Sequence, residues 1–268
     1  MAYMIVDSGQ LDIDLTAVAD SIRAKTGGTE PLGFPDGMVA EVDAVYEAGK
    51  KAERDAFWDT YQQNGGRENY SYAFAGHGWT DDVFWPKYDM APTNASYLFR
   101  ENRITSLKGR LAECGVMLDF SKSMALTYTF TLSQIKDVGV VYTRSCQNLS
   151  YILYSAEKVQ SIDKLILRDD GTQQFAYGSF QYCNSLAQIR FEGVIGSGIE
   201  FHSSPLSKES LVSIVNALSD NTTGLTATFP LSAVNSAFAT SEGAVDGSAS
   251  EEWLALVETK PNWTISLV

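Results

Sequence analysis

The chain has 268 residues, a formal net charge of −13 and a sequence pI near 4.5. Its 20 Lys and Arg residues are scattered, which argues against nucleic acid and anionic membrane surfaces as partners, because phosphate binding needs clustered cations. Cys114, Cys146 and Cys183 show no CxxC spacing, so neither a disulfide framework nor a zinc site is indicated and the three read as core thiols. Residues 1–10 lack a basic segment followed by an apolar run, and no stretch approaches the roughly 18 apolar residues of a membrane span. The expectation is a chain made in the cytoplasm without a signal peptide and without membrane insertion.

Leu11, Leu15, Val18 and Ile22 recur at spacings of four and three, which predicts one helical face. The Gly- and Pro-containing run over 26–31 stops it, and Pro35-Asp36-Gly37 opens a second segment. There Met38, Val42, Val45, Gly49, Ala52 and Ala56 alternate spacings of four and three, a heptad seam. The seam suits either an intramolecular helix packed on the next segment or a parallel bundle between identical chains, such as a trimer. Residues 61–66, ending Asn64-Gly65-Gly66, form a helix stop. Residues 1–66 are thus expected to be a helical attachment and oligomerisation segment.

From 67 to 193 a tyrosine-plus-aromatic step dominates: Tyr72 with Phe74, Tyr97 with Phe99, Tyr128 with Phe130, Tyr151 with Leu153, and a looser Tyr177 with Phe180. The interval between steps lies in the range of about 20 to 50 residues that marks stacked repeats. Asn69, Asn94, Ala125, Asn148 and Gln174 each stand three positions before the tyrosine, as turn residues would. Because residues i and i+2 of an extended segment share a face, both aromatics of each step are expected in a buried spine. A weaker apolar stripe, Cys183, Leu186, Ile189 and Phe191, predicts that each unit ends in a short strand.

Residues 194–268 change character. A helix is expected from Ser207, a strand over 225–229, a short helix over 231–238, another over 251–258 and a last strand over 263–268. An end unit is needed to cover the last apolar face of a repeat stack, and this region suits an α/β C-terminal cap. The fold expected is α+β: N-terminal helices, then an irregular leucine-rich-repeat-like solenoid of about five coils, then the cap. Five Asn-x-Ser/Thr sequons, at Asn69, Asn94, Asn148, Asn221 and Asn262, read as turn chemistry.

Chemistry is sparse. His77 and His202 are far apart without a metal-ligand pattern, Gly196-Ser197-Gly198 lacks the context of a dinucleotide loop, and no phosphate-binding P-loop occurs. No catalytic residue, metal or cofactor is therefore assigned. Trp79, Trp85 and Tyr88 lie off the repeat positions beside Asp81 and Asp82, a mix suited to stacking on a sugar ring and bonding its hydroxyls. The same residues equally suit a plug for the open end of the stack.

Several stretches carry a resemblance. Asn-Tyr-Ser-Tyr-Ala-Phe-Ala-Gly over 69–76, the Asn-x-Ser-Tyr-x-Phe/Leu steps and the run from Cys183 to Gly193 resemble degenerate BspA-type leucine-rich repeats. Residues 15–38 are similar to the opening of tail or fibre proteins encoded by phages and prophages of gut Firmicutes. The resemblance implies a non-enzymatic virion component, tail- or fibre-like or receptor-binding. Its N-terminal helices would attach to other virion proteins or to further copies of itself, and its body would face a host cell-surface glycan or protein. Its expected location is the virion, assembled in the host cytoplasm. A bacterial cell-surface adhesin and a glycan depolymerase are the alternatives.

Overall fold

In a computed structural model of the chain, the described residues are 16–21, 23–24, 27, 46, 48–49, 51–53, 55–56, 58–59, 73–76, 80–81, 84–175, 178–238 and 250–268. The chain forms two compact units, Met1–Asp59 and Thr60–Val268. In the first unit, 16–21 and 23–24 are helical, as are the described residues from 46 to 59. Asp20 pairs with Arg23, and Lys51 with Asp55 at 2.5 Å, the three- and four-residue spacings at which helix side chains meet.

The second unit holds two separate three-stranded sheets, both parallel and both in chain order. The first consists of β1 (Val140–Tyr142), β2 (Ser161–Ile166) and β3 (Gln188–Glu192). Its register sets Val141 beside Leu165 and Ile162 beside Ile189, all buried. The second consists of β4 (Ile199–Glu200), β5 (Leu225–Phe229) and β6 (Trp263–Leu267), with Ala227 paired to both Ile199 and Ile265.

Helices occupy the connections. α1 (Leu107–Cys114) starts where the Ser106 hydroxyl accepts the Gly109 N–H at 3.1 Å, and it stops at Gly115, whose φ of +65° is readily reached only without a side chain. A single 3-10 turn covers Phe120–Lys122. α2 (Lys208–Ala217) is capped by Ser207, α3 (Leu231–Phe238) follows Pro230, and α4 (Glu251–Glu258) is capped by Ser250. These C-terminal helices fall where they were expected, α2 and α4 each with a serine cap and all three with a buried apolar face.

The leucine-rich-repeat-like solenoid of about five coils is overturned, and its reading as BspA-type repeats with it. The fold is instead mixed α+β with two parallel sheets. A solenoid of that type needs one strand from every unit in a continuous sheet. Here the segments before β1 align only through single bridges, such as Asn94 with Ala125 and Ser106 with Asp137. α1 and the 3-10 turn occupy the chain between them. At the other end α2 closes the first sheet: the Ser210 hydroxyl accepts the Ile189 N–H and the Ser213 hydroxyl accepts the Phe191 N–H, each at 2.9 Å. Side chains of a helix thus fill the hydrogen bonds that a further strand would need. The α/β C-terminal cap, as a cover for such a solenoid, falls with it.

An aromatic core runs through the second unit. Phe74, Phe99 and Phe130 stack at 5.6 and 5.8 Å, and Phe84 meets the first two edge-on. Leu153 fills the next position. Phe180, Phe201 and Phe229 continue the row at 4.5 and 6.2 Å, and Trp253 closes it edge-on to Phe229 at 5.6 Å. Full burial of one such side chain contributes about 1.5–3 kcal/mol, so this row is the main apolar tie between the turns and the C-terminal sheet.

Candidate functional site

The tyrosines of the repeated step do not enter that core. Tyr97, Tyr128 and Tyr151 are half-buried, whereas Phe99, Phe130 and Leu153 two residues later are fully buried. The expectation that both aromatics point the same way holds for extended chain, and these segments are turns. Tyr97, Tyr128 and Tyr151 have φ of 60°, 57° and 58°, and Gly178 takes the same place with φ of 81°. Four residues later a second left-handed position recurs at Glu101, Leu132, Ser155 and Tyr182, with φ between 52° and 62°. Each turn is therefore a short loop with a left-handed residue at both ends, which sends the tyrosine outward and the phenylalanine inward.

Left-handed backbone costs an L-residue about 1–2 kcal/mol. Two contributions offset this at each turn. Backbone hydrogen bonds join successive turns, among them Tyr97 N–H to the Thr127 carbonyl at 2.9 Å, Phe99 N–H to Thr129 at 2.8 Å and Tyr128 N–H to Tyr151 at 3.1 Å. Each contributes about 0.5–1.5 kcal/mol net. Ring stacking adds a similar amount: Tyr97 lies on Tyr128 at 5.1 Å, and Tyr128 on Tyr151 at 4.6 Å with planes 7° apart. Gly178 ends the row under Tyr151, where a Cβ would come within 2.9 Å of the ring.

Two further tyrosines widen the row into a strip. Tyr154 sits edge-on to Tyr128, Tyr151 and Tyr182, at 6.1, 5.6 and 5.7 Å. Tyr182 and Leu132 are each 46% exposed. Arg100 lies over Tyr97, its guanidinium 5.8 Å from the ring centre and 2.7 Å from Glu101. The hydroxyls of Tyr128, Tyr151, Tyr154 and Tyr182 form no hydrogen bond among the described residues. Burial pushes the Tyr128 phenol above its ordinary value, and the neighbouring Tyr151 and Tyr154 push it the same way. It is therefore a neutral donor at physiological pH.

The residues singled out by composition have other surroundings. Trp79 and Asp82 lie outside the described residues. Asp81 is a clamp: one carboxylate oxygen accepts the Thr105 N–H at 2.8 Å and the Ser106 N–H at 3.4 Å, and the other accepts the Thr105 hydroxyl. Trp85 is half-buried with the Arg110 guanidinium 4.9 Å from its ring centre, and the Lys87 ammonium lies 5.3 Å from the Tyr88 ring centre. Of the seam, Met38, Val42 and Val45 lie outside the described residues, while Gly49, Ala52 and Ala56 are helical and exposed. Asn94 and Asn148 accept the backbone N–H groups of Ser96 and Ser150 at 3.0 and 2.8 Å, the turn chemistry expected of those sequons.

Elsewhere several surface charges pair with one another. Lys164 and Arg144 both hold Glu192, at 2.8 and 3.4 Å, and Lys208 holds Glu252 at 2.6 Å. Arg168 and Thr172 lower the pKa of the Asp170 carboxyl far below the usual carboxylate range. Among the described residues no group of three or more His, Cys, Asp or Glu side chains could hold a metal ion, and no helix is long and apolar enough to cross a membrane. A cavity of about 230 Å³ beside Phe175, Ser197, Glu200 and Thr226 has its Ser197 hydroxyl accepting the Phe175 N–H at 2.8 Å.

The tyrosine strip was missed in the sequence reading, although a signal for it exists. Gly76 and Gly178 stand at turn positions occupied elsewhere by Glu101, Leu132, Ser155 and by Tyr97, Tyr128, Tyr151. Glycine at such alternates points to left-handed backbone, and with it to a tyrosine and phenylalanine that diverge. The chain matches no protein-family model, and no curated protein or solved structure is found to be similar to it.

Proposed function

We propose that the protein is a non-enzymatic virion component that attaches to the particle through residues 1–66 and presents the second unit to the host surface. The observation that carries this reading is the tyrosine strip: five surface tyrosines in mutual contact, at a backbone cost repeated turn after turn. Tyrosine is enriched where proteins meet partners, because it offers a large rigid area with a polar end. The virion setting rests on the likeness of residues 15–38 to phage tail and fibre openings.

Particle incorporation tests it. The tagged chain, produced in cells in which the phage that encodes it is assembling, is expected to co-purify with virions through a density gradient. A chain lacking residues 1–66 is expected to stay in the soluble fraction. Absence of the full chain from purified particles would remove the virion reading.

A further inference from the structure

Building on the attachment reading, we infer that the tyrosine strip is a docking ledge for an unbranched neutral polysaccharide, lying along Tyr97, Tyr128 and Tyr151 with Tyr154 and Tyr182 at its side. Three features of the strip select this occupant.

The first is charge. The Arg100 guanidinium over the Tyr97 ring is neutralised by Glu101 at 2.7 Å, and no charged group touches the rings of Tyr128, Tyr151, Tyr154 and Tyr182 among the described residues. A polyanion gains nothing from such a surface on a chain of net charge −13. A polycation gains little from Glu101, whose carboxylate is already engaged by Arg100.

The second is the hydroxyls. Those of Tyr128, Tyr151, Tyr154 and Tyr182 have no partner among the described residues. An apolar protein or lipid surface pressed on them would strip off water and return no hydrogen bond, a penalty of about 1–3 kcal/mol for each hydroxyl. A polyhydroxylated partner returns one for every hydroxyl it covers.

The third is spacing. The rungs repeat at 5.1 and 4.6 Å along one direction, a distance close to the length of a single pyranose unit in an extended chain. Stacked at those distances, the three rings leave no slot between them for an inserted side chain. What they present is a ridge of ring edges and hydroxyls, with the more open Tyr154 and Tyr182 rings set across it. Such a ridge takes a linear polymer along its length better than a compact epitope.

The test uses the purified full-length chain and three neutral hexasaccharides in separate arms: cellohexaose, maltohexaose and chitohexaose. Binding is followed by calorimetry and tyrosine fluorescence. A teichoic acid and mixed phosphatidylcholine–phosphatidylglycerol vesicles form two further arms. At least one hexasaccharide is expected to bind saturably. A triple Tyr128→Phe, Tyr151→Phe, Tyr154→Phe variant, which keeps the rings and loses the hydroxyls, is expected to bind about 10-fold more weakly with an unchanged Tm. Tyr182→Ser, at the exposed end, is expected to weaken binding in the same direction, and Met117→Ser, exposed and off the strip, to leave it unchanged. The assignment is overturned if no hexasaccharide binds, if the triple variant binds as well as the parent, or if teichoic acid or vesicles bind in preference. Failure of every hexasaccharide with a chain that still enters virions would remove the glycan and leave the attachment reading. Loss of virion incorporation would remove attachment whatever the hexasaccharides do.

Discussion

Tyr128 and Tyr151 lie face to face, ring centres 4.6 Å apart, while the backbone of each is left-handed, with φ of 57° and 58°. The side-chain contact and the backbone strain thus sit on the same residues, and substitutions can separate them. Tyr128→Ala removes the stack and keeps the strain, so a loss of about 1–2 kcal/mol is expected. Tyr128→Gly removes both and is expected to be about 1 kcal/mol more stable than the alanine variant. Urea unfolding of the two variants reads the difference. Equal stabilities would mean that the turn pays no left-handed cost at this position.

Among the described rungs, Gly178 is the one that cannot bear a side chain. Its φ is 81°, and a Cβ would lie 2.9 Å from two Tyr151 ring carbons and 3.2 Å from Tyr154. Gly178→Ala is expected to lower stability by about 1–3 kcal/mol. It should also shift the near-UV circular dichroism of the tyrosines, since the ring beneath must move. A variant with parental Tm and spectrum would contradict the tight approach.

At the end of the first sheet, the Ser210 hydroxyl accepts the buried Ile189 N–H and donates to the Ala187 carbonyl, both at 2.9 Å. Ser210→Ala leaves a buried donor unpaired, so a loss of about 1–3 kcal/mol is expected in chemical denaturation. Ser210→Thr retains the hydroxyl and is expected to recover part of it.

The thiols should separate by reactivity. Burial pushes Cys146 up to about 11 and Cys183 to about 12, whereas Cys114 is half-buried. Because the thiolate is the reactive species, only Cys114 is expected to react with a disulfide reagent at pH 8 in the native chain. All three should react in denaturant. Rapid modification of Cys183 in the native protein would show that its pocket opens.

Part of the acid stability is expected to depend on Asp170 and Glu192. Arg168, then Thr172, lower the folded pKa of Asp170, and Lys164 lowers that of Glu192. For a carboxyl depressed on folding, the stabilisation is present above the unfolded pKa of about 4 and disappears as pH falls through the folded value. Asp170→Asn is therefore expected to reduce Tm at pH 7 and to flatten its decline below pH 4. A variant whose acid limb matches the parent would show that the exposed Arg168 pair is fully screened.

The local elements were legible where each carried its own signals. Ser207 marked the start of α2, the end of the loop before 251 that of α4, and Leu225–Phe229 and Trp263–Leu267 read as strands. The spacing of Phe99 and Phe130 also identified the buried aromatic row. What failed was the inference from a regular interval to a leucine-rich-repeat-like solenoid. The interval says that turns align, but it does not say whether strands form between them. In the stretch before β1 they do not, because α1 and the 3-10 turn take up the intervening chain.

By itself the sequence determined which residues are apolar, where the C-terminal helices and strands lie, and that tyrosine and phenylalanine recur two apart. Only the tertiary structure decided which of the two goes inside. Direction at a turn depends on φ, and φ at Tyr97, Tyr128 and Tyr151 is positive because hydrogen bonds and ring stacks from neighbouring turns, 23 to 31 residues away, outweigh the local preference for negative values. Those contacts exist only when the turns are assembled.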